Sequence, residues 1–239
     1  MKLIRILLLM MVTTVMGCSG SGVIVGEEVV KSPTRATDEV YEGSKLATVA
    51  LVARNSDEEV VPYCTGVWIS VDEIVTAAHC VALDEMGIIS PVGEYIHYII
   101  EKEVRGIFKE PAAIHLSKVI LFDSKRDVAV LRAVMAGVPV HGVAELGKEL
   151  PGIGERVYMV GHPRGLYWTF SNGVVSAYRV DEEMGPMIQV NGTVWYGNSG
   201  GGLFDREGKL IGIASQLTGV PNMAYFVHLD SIKSVWLGQ

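Results

Sequence analysis

From Lys45 onward the chain consists of short apolar runs, among them KLATVALVA, CTGVWIS, EIVTAAH, EYIHYII, DVAVLRA, ERVYMVG, GVVSAYRV and KLIGIAS, separated by Gly, Pro, Asp and Asn. Runs of this length, rich in β-branched and aromatic residues and bounded by turn formers, predict strands. The 27 glycines among 239 residues exceed the usual share of about 7% and fit a chain that turns often. The pattern is all-β, of sandwich or barrel type, and about 195 residues suffice for two barrels of about 100 each. A boundary between Ala136 and Gly154 is expected. Helical signals are weak except at the end, where Asp230 is placed to cap SIKSVWL by accepting backbone N–H bonds. Asp181-Glu182-Glu183 reads as a solvated hairpin tip, and Asp205-Arg206-Glu207-Gly208 as a turn whose glycine takes a positive φ.

The beginning of the chain has a different pattern. Lys2 and Arg5 precede an uncharged apolar run from Ile6 to Met16, too short to cross a bilayer of about 30 Å as a stable helix, and this reads as an export signal over residues 1–17. Val15-Met16-Gly17-Cys18 resembles the bacterial lipoprotein cleavage box, which makes Cys18 the lipid-bearing residue and the membrane a partner. An ordinary secretory signal with Cys18 left over is the alternative. Ser19 carries no aspartate-type inner-membrane retention signal, so outer-membrane delivery is the expectation where the host has such a membrane. Residues 18–42, rich in Gly, Ser and charge and without sustained periodicity, read as a flexible tether in which only VIVGEEVV could form a strand.

The chain has three cysteines. An odd thiol in an exported protein needs an explanation, and lipidation of Cys18 leaves Cys64 and Cys80 to pair; two buried thiols are the alternative, one that an oxidising compartment disfavours. The net charge of -7, from 27 acidic against 20 basic residues with no concentrated basic run, argues against nucleic acid as a partner. The histidines His97, His115, His141, His162 and His228 show no zinc-like spacing and are assigned structural or exposed places. No metal or cofactor is expected.

Gly197-Asn198-Ser199-Gly200-Gly201 fits two serine architectures. As the G-x-S-x-G elbow of an α/β-hydrolase it requires a long helix starting at the serine, with acid and histidine following, an order that Asp205 and His228 satisfy on paper. The residues after Ser199 form two apolar segments around a turn instead, and adjacent glycines weaken a helix by about 1 kcal/mol each. Upstream, TAAHC sets His79 after a strand-like run, and SKRDVAVLRA sets Asp127 at the head of another; Asp123 is the rival acid but lacks a following apolar run. TAAHC with a cysteine sixteen positions before its own, D-V-A-V-L and G-N-S-G-G, in that order, resemble the chymotrypsin-fold serine proteases over residues 45–237. VGHPRGLYWTFSNGVVSAYR is similar to the corresponding segment of the bacterial Deg-type enzymes.

The resemblance implies two six-stranded antiparallel β-barrels, about 43–140 and 145–239, within a protease domain at 43–239, and a polypeptide substrate. It also implies a triad of His79, Asp127 and Ser199. The chemistry asks for the same residue types: a serine hydroxyl is a poor nucleophile until an adjacent base takes its proton, and that base needs a carboxylate on its other nitrogen to fix its tautomer. Backbone N–H groups of Gly197 and Ser199 are the expected oxyanion donors. Thr193 aligns with the floor of the specificity pocket, where a neutral residue disfavours Arg or Lys. Ser215, Gln216 and Leu217 are the expected edge for pairing with substrate backbone, with Leu217 narrowing the pocket toward small or medium apolar residues.

Two departures bear on regulation. Ile24-Val25-Gly26-Glu27 resembles a zymogen's new N-terminus, but Asn198 cannot form the ion pair that an aspartate before the serine would make, so activity is expected without a cut before Ile24. Deg-type enzymes usually carry PDZ domains after the catalytic domain, and none follows before Gln239, which argues against oligomeric quality control by that route. A catalytically silent binding module on the same fold is the competing reading.

Overall fold

A computed structural model describes residues 33–82, 95–101, 113–134, 137–192, 194–217 and 222–238. The expected signal, the lipidation site Cys18 and residues 18–32 of the expected tether lie outside them, as does Thr193.

The strands are β1 (Thr48–Arg54), β2 (Val60–Trp68), β3 (Glu73–Thr76), β4 (Tyr95–Ile100), β5 (His115–Asp123), β6 (Val128–Ala133), β7 (Arg156–Gly161), β8 (Thr169–Asp181), β9 (Gly185–Asn191), β10 (Gly202–Phe204), β11 (Leu210–Leu217) and β12 (Ala224–His228). They close into two six-stranded antiparallel barrels, in the order β1-β2-β3-β6-β5-β4 and β10-β11-β12-β9-β8-β7. The fold class is the chymotrypsin-like one. Pairing of β1 with β4 (Val49 opposite Ile100, Val52 opposite His97) shuts the first barrel, and Leu203 opposite Met159 shuts the second. The last strand of barrel 1 ends at Ala133 and the first of barrel 2 begins at Arg156.

Apolar runs are nearly continuous in these strands, rather than alternating with polar residues, because both faces are covered. In β1, Val49 and Leu51 point into the first barrel with Trp68, Ile74, Tyr98 and Leu131, whereas Ala50 and Val52 pack outward with Val160 and Trp168 of the second. Barrel 2 fills itself with Val157, Ile188, Leu203, Ile211 and Phe226. Between the barrels, Val67, Val75, Val128 and Val130 meet Phe204, Ile213 and Val227. This apolar seam fixes the relative placement on which the site depends.

Among the described residues, two α-helices frame the barrels. Helix α1 spans Pro33–Ala47, so residues 33–42, assigned to a flexible tether on sequence, are helical. Its buried positions, Val40, Ser44 and Ala47, follow helical spacing and form a narrow stripe. Tyr41 stacks edge-on against Phe170, ring centroids 5.1 Å apart, and Lys45 pairs with Glu101 at 2.9 Å. Helix α2 spans Leu229–Leu237 and is capped by His228, whose Nδ1 accepts from Asp230 N at 2.9 Å. Asp230 therefore stands inside the first turn, where its charge suits the helix dipole, and is not the cap. Trp236 Nε1 donates to Glu73 Oε2 at 2.7 Å, fastening the helix to barrel 1. The turn at Asp205 forms as expected, with Asp205 Oδ1 accepting from Glu207 N and Lys209 N and Gly208 at φ +77°.

Candidate active site

His79 sits in a short 3-10 turn, Ala78–Cys80, that follows β3. Cys80 is bonded to Cys64 on β2, with Cα atoms 6.1 Å apart, and this disulfide ties the turn to the barrel wall. Both sulfurs of the group Cys64, His79 and Cys80 are thus consumed, leaving no thiolate for a metal.

Asp127 precedes β6 in a left-handed conformation, φ +53°. Its carboxylate takes His79 Nδ1 at 2.9 Å on one oxygen and 3.0 Å on the other, and the second of these oxygens also accepts from His79 N at 3.0 Å. Imidazole and loop are held together. Burial acts to raise the Asp127 pKa, but the His79 hydrogen bond and charge, the Ser215 hydroxyl and the His79 amide outweigh it and hold the carboxyl below its ordinary value. The rival acid, Asp123, pairs with Arg126 at 2.6 Å and takes no part.

Ser215 was expected to serve as strand edge, and its side chain does something more. Its Oγ donates to Asp127 Oδ2 at 2.5 Å. Between Ala214, opposite Phe226, and Gln216, opposite Tyr225, the register of β11 shifts, so Ser215 is the extra residue of a bulge. Bulges re-aim side chains near functional sites, and this one turns a hydroxyl of barrel 2 onto a carboxylate of barrel 1. From Gln216 to Leu217 the only strand partner of β11 among the described residues is β12, which leaves its other edge open to an extended peptide.

The turn carrying Ser199 is defined by its carbonyls. In a planar trans peptide C=O and N–H point in opposite directions, so a carbonyl held on one side aims the next N–H to the other. Tyr196 O accepts from Arg164 N at 2.8 Å, and Gly197 O from Thr65 Oγ1 at 2.7 Å. Asn198 O accepts from Gly201 N, and Ser199 O from Thr65 N, each at 2.8 Å. Asn198 N is spent on Trp195 O at 3.0 Å and Gly200 N on Ala214 O at 2.7 Å. The N–H groups of Gly197 and Ser199 remain, with no backbone acceptor among the described residues.

Two glycines are dictated by this geometry. Gly197 has φ +97°, and a Cβ there would lie 2.3 Å from His162 O. Gly200 has φ +80°, and its Cβ would lie 2.1 Å from Thr76 Oγ1 and 2.2 Å from Thr65 O. Arg164 also takes a left-handed conformation, φ 50° and ψ 34°, at a cost of about 1–2 kcal/mol for a residue with a Cβ. Its N–H to Tyr196 O and its guanidinium, 5.3 Å from the Trp195 ring, offset that cost.

The sequence-derived residues are thus brought together in part. His79 and Asp127 are bonded, Ser215 joins them, and the Ser199 carbonyl lies 3.6 Å from Cys80 Sγ, one residue after His79. Since that sulfur is in a disulfide, the contact is van der Waals only. No hydrogen bond joins Ser199 Oγ to His79 among the described residues. Such bonds are often loose in the absence of substrate and tighten on binding. Thr65, Arg164 and His162 were not singled out from sequence as parts of this turn.

A model of the trypsin-like peptidase domain matches residues 64–213, more than half of the chain, and the chain belongs to that family. A protein of Hahella chejuensis, described as a "Probable periplasmic serine endoprotease DegP-like", is 41% identical over 142 residues, covering 51% of this chain and 30% of that one. The chloroplastic Protease Do-like 1 of Arabidopsis thaliana is 36% identical over 109 residues, covering 41% and 24%. The chain therefore spans a third or less of the length of these curated relatives. Among solved structures, a serine endoprotease from Yersinia pestis superposes with a TM-score of 0.64 at 20% identity, over 84% of this chain and 65% of the other. The active form of a protease from M. tuberculosis gives 0.64 at 17% identity, over 86% of each chain. These two likenesses concern the fold.

Proposed function

We propose that the chain is an exported serine endopeptidase. Ser199 Oγ attacks the scissile carbonyl while His79 Nε2 takes its proton, and Asp127 stabilises the imidazolium that forms. The developing oxyanion is held by the N–H groups of Gly197 and Ser199. Collapse of the tetrahedral species breaks the C–N bond, and the amine leaves with the proton from His79. Water then hydrolyses the acyl-Ser199 ester by the same relay in reverse. The observation that carries this reading is the pairing of the His79 ring with the Asp127 carboxylate, together with a serine turn in which the N–H groups of Gly197 and Ser199 have no backbone acceptor among the described residues.

The extended substrate pairs with the open edge at Ser215, Gln216 and Leu217, and a neutral Thr193 at the pocket floor favours a small or medium apolar residue before the cleaved bond. Lipidation of Cys18 anchors the enzyme on the periplasmic side of a bacterial envelope or at the cell surface, and no cut before Ile24 is needed. Support for export comes from the apolar N-terminal run and from the periplasmic description of the Hahella relative. A second reading, a binding module on the same fold without turnover, is favoured by the absence of a Ser199–His79 hydrogen bond among the described residues. A fluorophosphonate probe separates the two. Covalent labelling of the full chain that vanishes in Ser199→Ala is the expected result, and a wild type that resists labelling would establish the silent module.

A further inference from the structure

The strongest unexplained group beside the site is His162, fully buried just after β7. Its Nδ1 lies 2.9 Å from Thr65 Oγ1, and the same Thr65 oxygen lies 2.7 Å from Gly197 O. Its Nε2 has no hydrogen-bond partner among the described residues. Tyr167 and Trp168 wall the ring in edge-on, at centroid distances of 5.8 and 4.9 Å.

The protons along this chain of atoms can be assigned without ambiguity. A carbonyl only accepts, so the single proton of Thr65 belongs to Gly197 O. The imidazole must then be the donor in the other contact, which places its proton on Nδ1 and leaves Nε2 as a bare lone pair. Burial agrees, pushing the His162 pKa down to about 3 and keeping the ring neutral. A space filled for packing alone would take an apolar ring with no nitrogen stranded in it. What the imidazole adds here is its Nδ1 donor.

We propose that His162 is a positioning residue for the turn that holds the oxyanion: by donating to Thr65 it commits the Thr65 hydroxyl to Gly197 O, and so fixes the 197–198 peptide next to the donor amide of Gly197. This rests on the protease reading above. Thr65 is the conduit, gripping the turn twice, through Oγ1 to Gly197 O and through N to Ser199 O. Without the imidazole donor, the Thr65 hydroxyl is free to rotate toward other acceptors and the turn loses one of its fixed carbonyls.

The test compares His162→Leu, His162→Asn and Thr65→Val with the wild-type chain, by the rate of fluorophosphonate labelling and by kcat and KM on a peptide substrate. Removing an oxyanion donor outright costs about 100- to 1000-fold in kcat, so misplacing the turn should cost about 10- to 100-fold. That loss is expected for His162→Leu and Thr65→Val, with KM changed less than about threefold, because substrate binding does not use the carbonyl of Gly197. The Asn side chain presents an N–H where Nδ1–H stands, so His162→Asn should recover most of the lost rate. A folded His162→Leu that labels at the wild-type rate, or His162→Asn no better than Leu, would overturn the proposal. Should the Leu variant fail to fold, NMR of wild-type protein labelled with 15N-histidine decides: a neutral Nδ1–H tautomer of His162 is expected, and an Nε2–H tautomer or a cation would overturn the assignment. A wild type that the probe cannot label would instead sink the protease reading, while the tautomer still reports on the hydrogen-bond chain by itself.

Discussion

Ser215→Ala removes one of the hydrogen bonds that keep a buried carboxylate ionised. The Asp127 side chain is only 11% exposed, and the Ser215 contact is 2.5 Å long. Hydrogen bonds to charged groups contribute about 1.5–3 kcal/mol. The loss expected at pH 7 is therefore about 2 kcal/mol, since the His79 amide and Nδ1 remain on the carboxylate. Its pH dependence follows from the direction of the Asp127 shift. Burial raises that pKa, the His79 and Ser215 contacts lower it by more, and the folded value lies below the ordinary one. A carboxyl of this kind adds stability that is complete above the unfolded pKa of about 3.9 and is lost as pH falls through the folded value. Removing the hydroxyl raises the folded pKa, so the variant stops losing stability earlier on acidification than wild type does. The gap between the two is full at neutral pH and narrows as pH falls through the variant's folded value, which lies at or below the unfolded one unless the lost hydroxyl outweighs the whole shift. Urea unfolding at pH 7, 5 and 3.5, with unchanged m-values, measures it. A penalty that stays constant as acidification is carried on through the folded titration of the carboxyl would place the loss in packing of the missing hydroxyl and refute the electrostatic account.

Two further outcomes are expected. Replacing both Cys64 and Cys80 by Ala opens a loop of sequence separation 16 and should lower stability by about 3 kcal/mol, read as a shift of the urea midpoint. Two glycine-to-alanine changes should act in opposite directions in the same assay. Gly200→Ala meets Thr76 Oγ1 and Thr65 O at φ +80° and should destabilise by about 2–4 kcal/mol, whereas Gly43→Ala, in exposed helix with nothing within 4 Å of the new carbon, should stabilise by about 0.5–1 kcal/mol.

Eight strands were legible as compact apolar runs between turn formers, which pointed to a sandwich or barrel, and the two six-stranded barrels were what the resemblance to the chymotrypsin-fold proteases implied. The pairing of His79 with Asp127 was legible because each lies in a short motif, and Ser199 enters the proposed triad through a third motif that follows in the same order. Helix α1 was not, since its buried stripe consists of Val40, Ser44 and Ala47, and Gly43-Ser44 looks like a break until a barrel surface is there to cover it. His228 was missed as a cap because imidazole seldom does that work and Asp230, two residues on, is the commoner choice. The role of Ser215 depends on a bulge, and a bulge is a relation between two strands that one run of letters does not record. His162 and Thr65 stand 97 positions apart, so their meeting is a product of barrel closure and of the seam, with no local signal in the sequence.

That long-range character has a physical consequence for the site. Barrel 1 supplies the imidazole and carboxylate, and barrel 2 the serine turn, but each barrel also reaches across to hold the other's part. Thr65 of β2 grips the carbonyls of Gly197 and Ser199, and Ser215 of β11 grips the Asp127 carboxylate. Hydrogen bonds of this kind tolerate only a few tenths of an ångström before they weaken, so both grips depend on the same packing of Val67, Val128 and Val130 against Phe204, Ile213 and Val227. Close-packed apolar contacts resist sliding because any shift opens voids. The seam thus acts as the ruler for the site: a displacement of one barrel that loosened Thr65 from the serine turn would also strip Ser215 from Asp127, and the proposed base and oxyanion donors would lose their positions together.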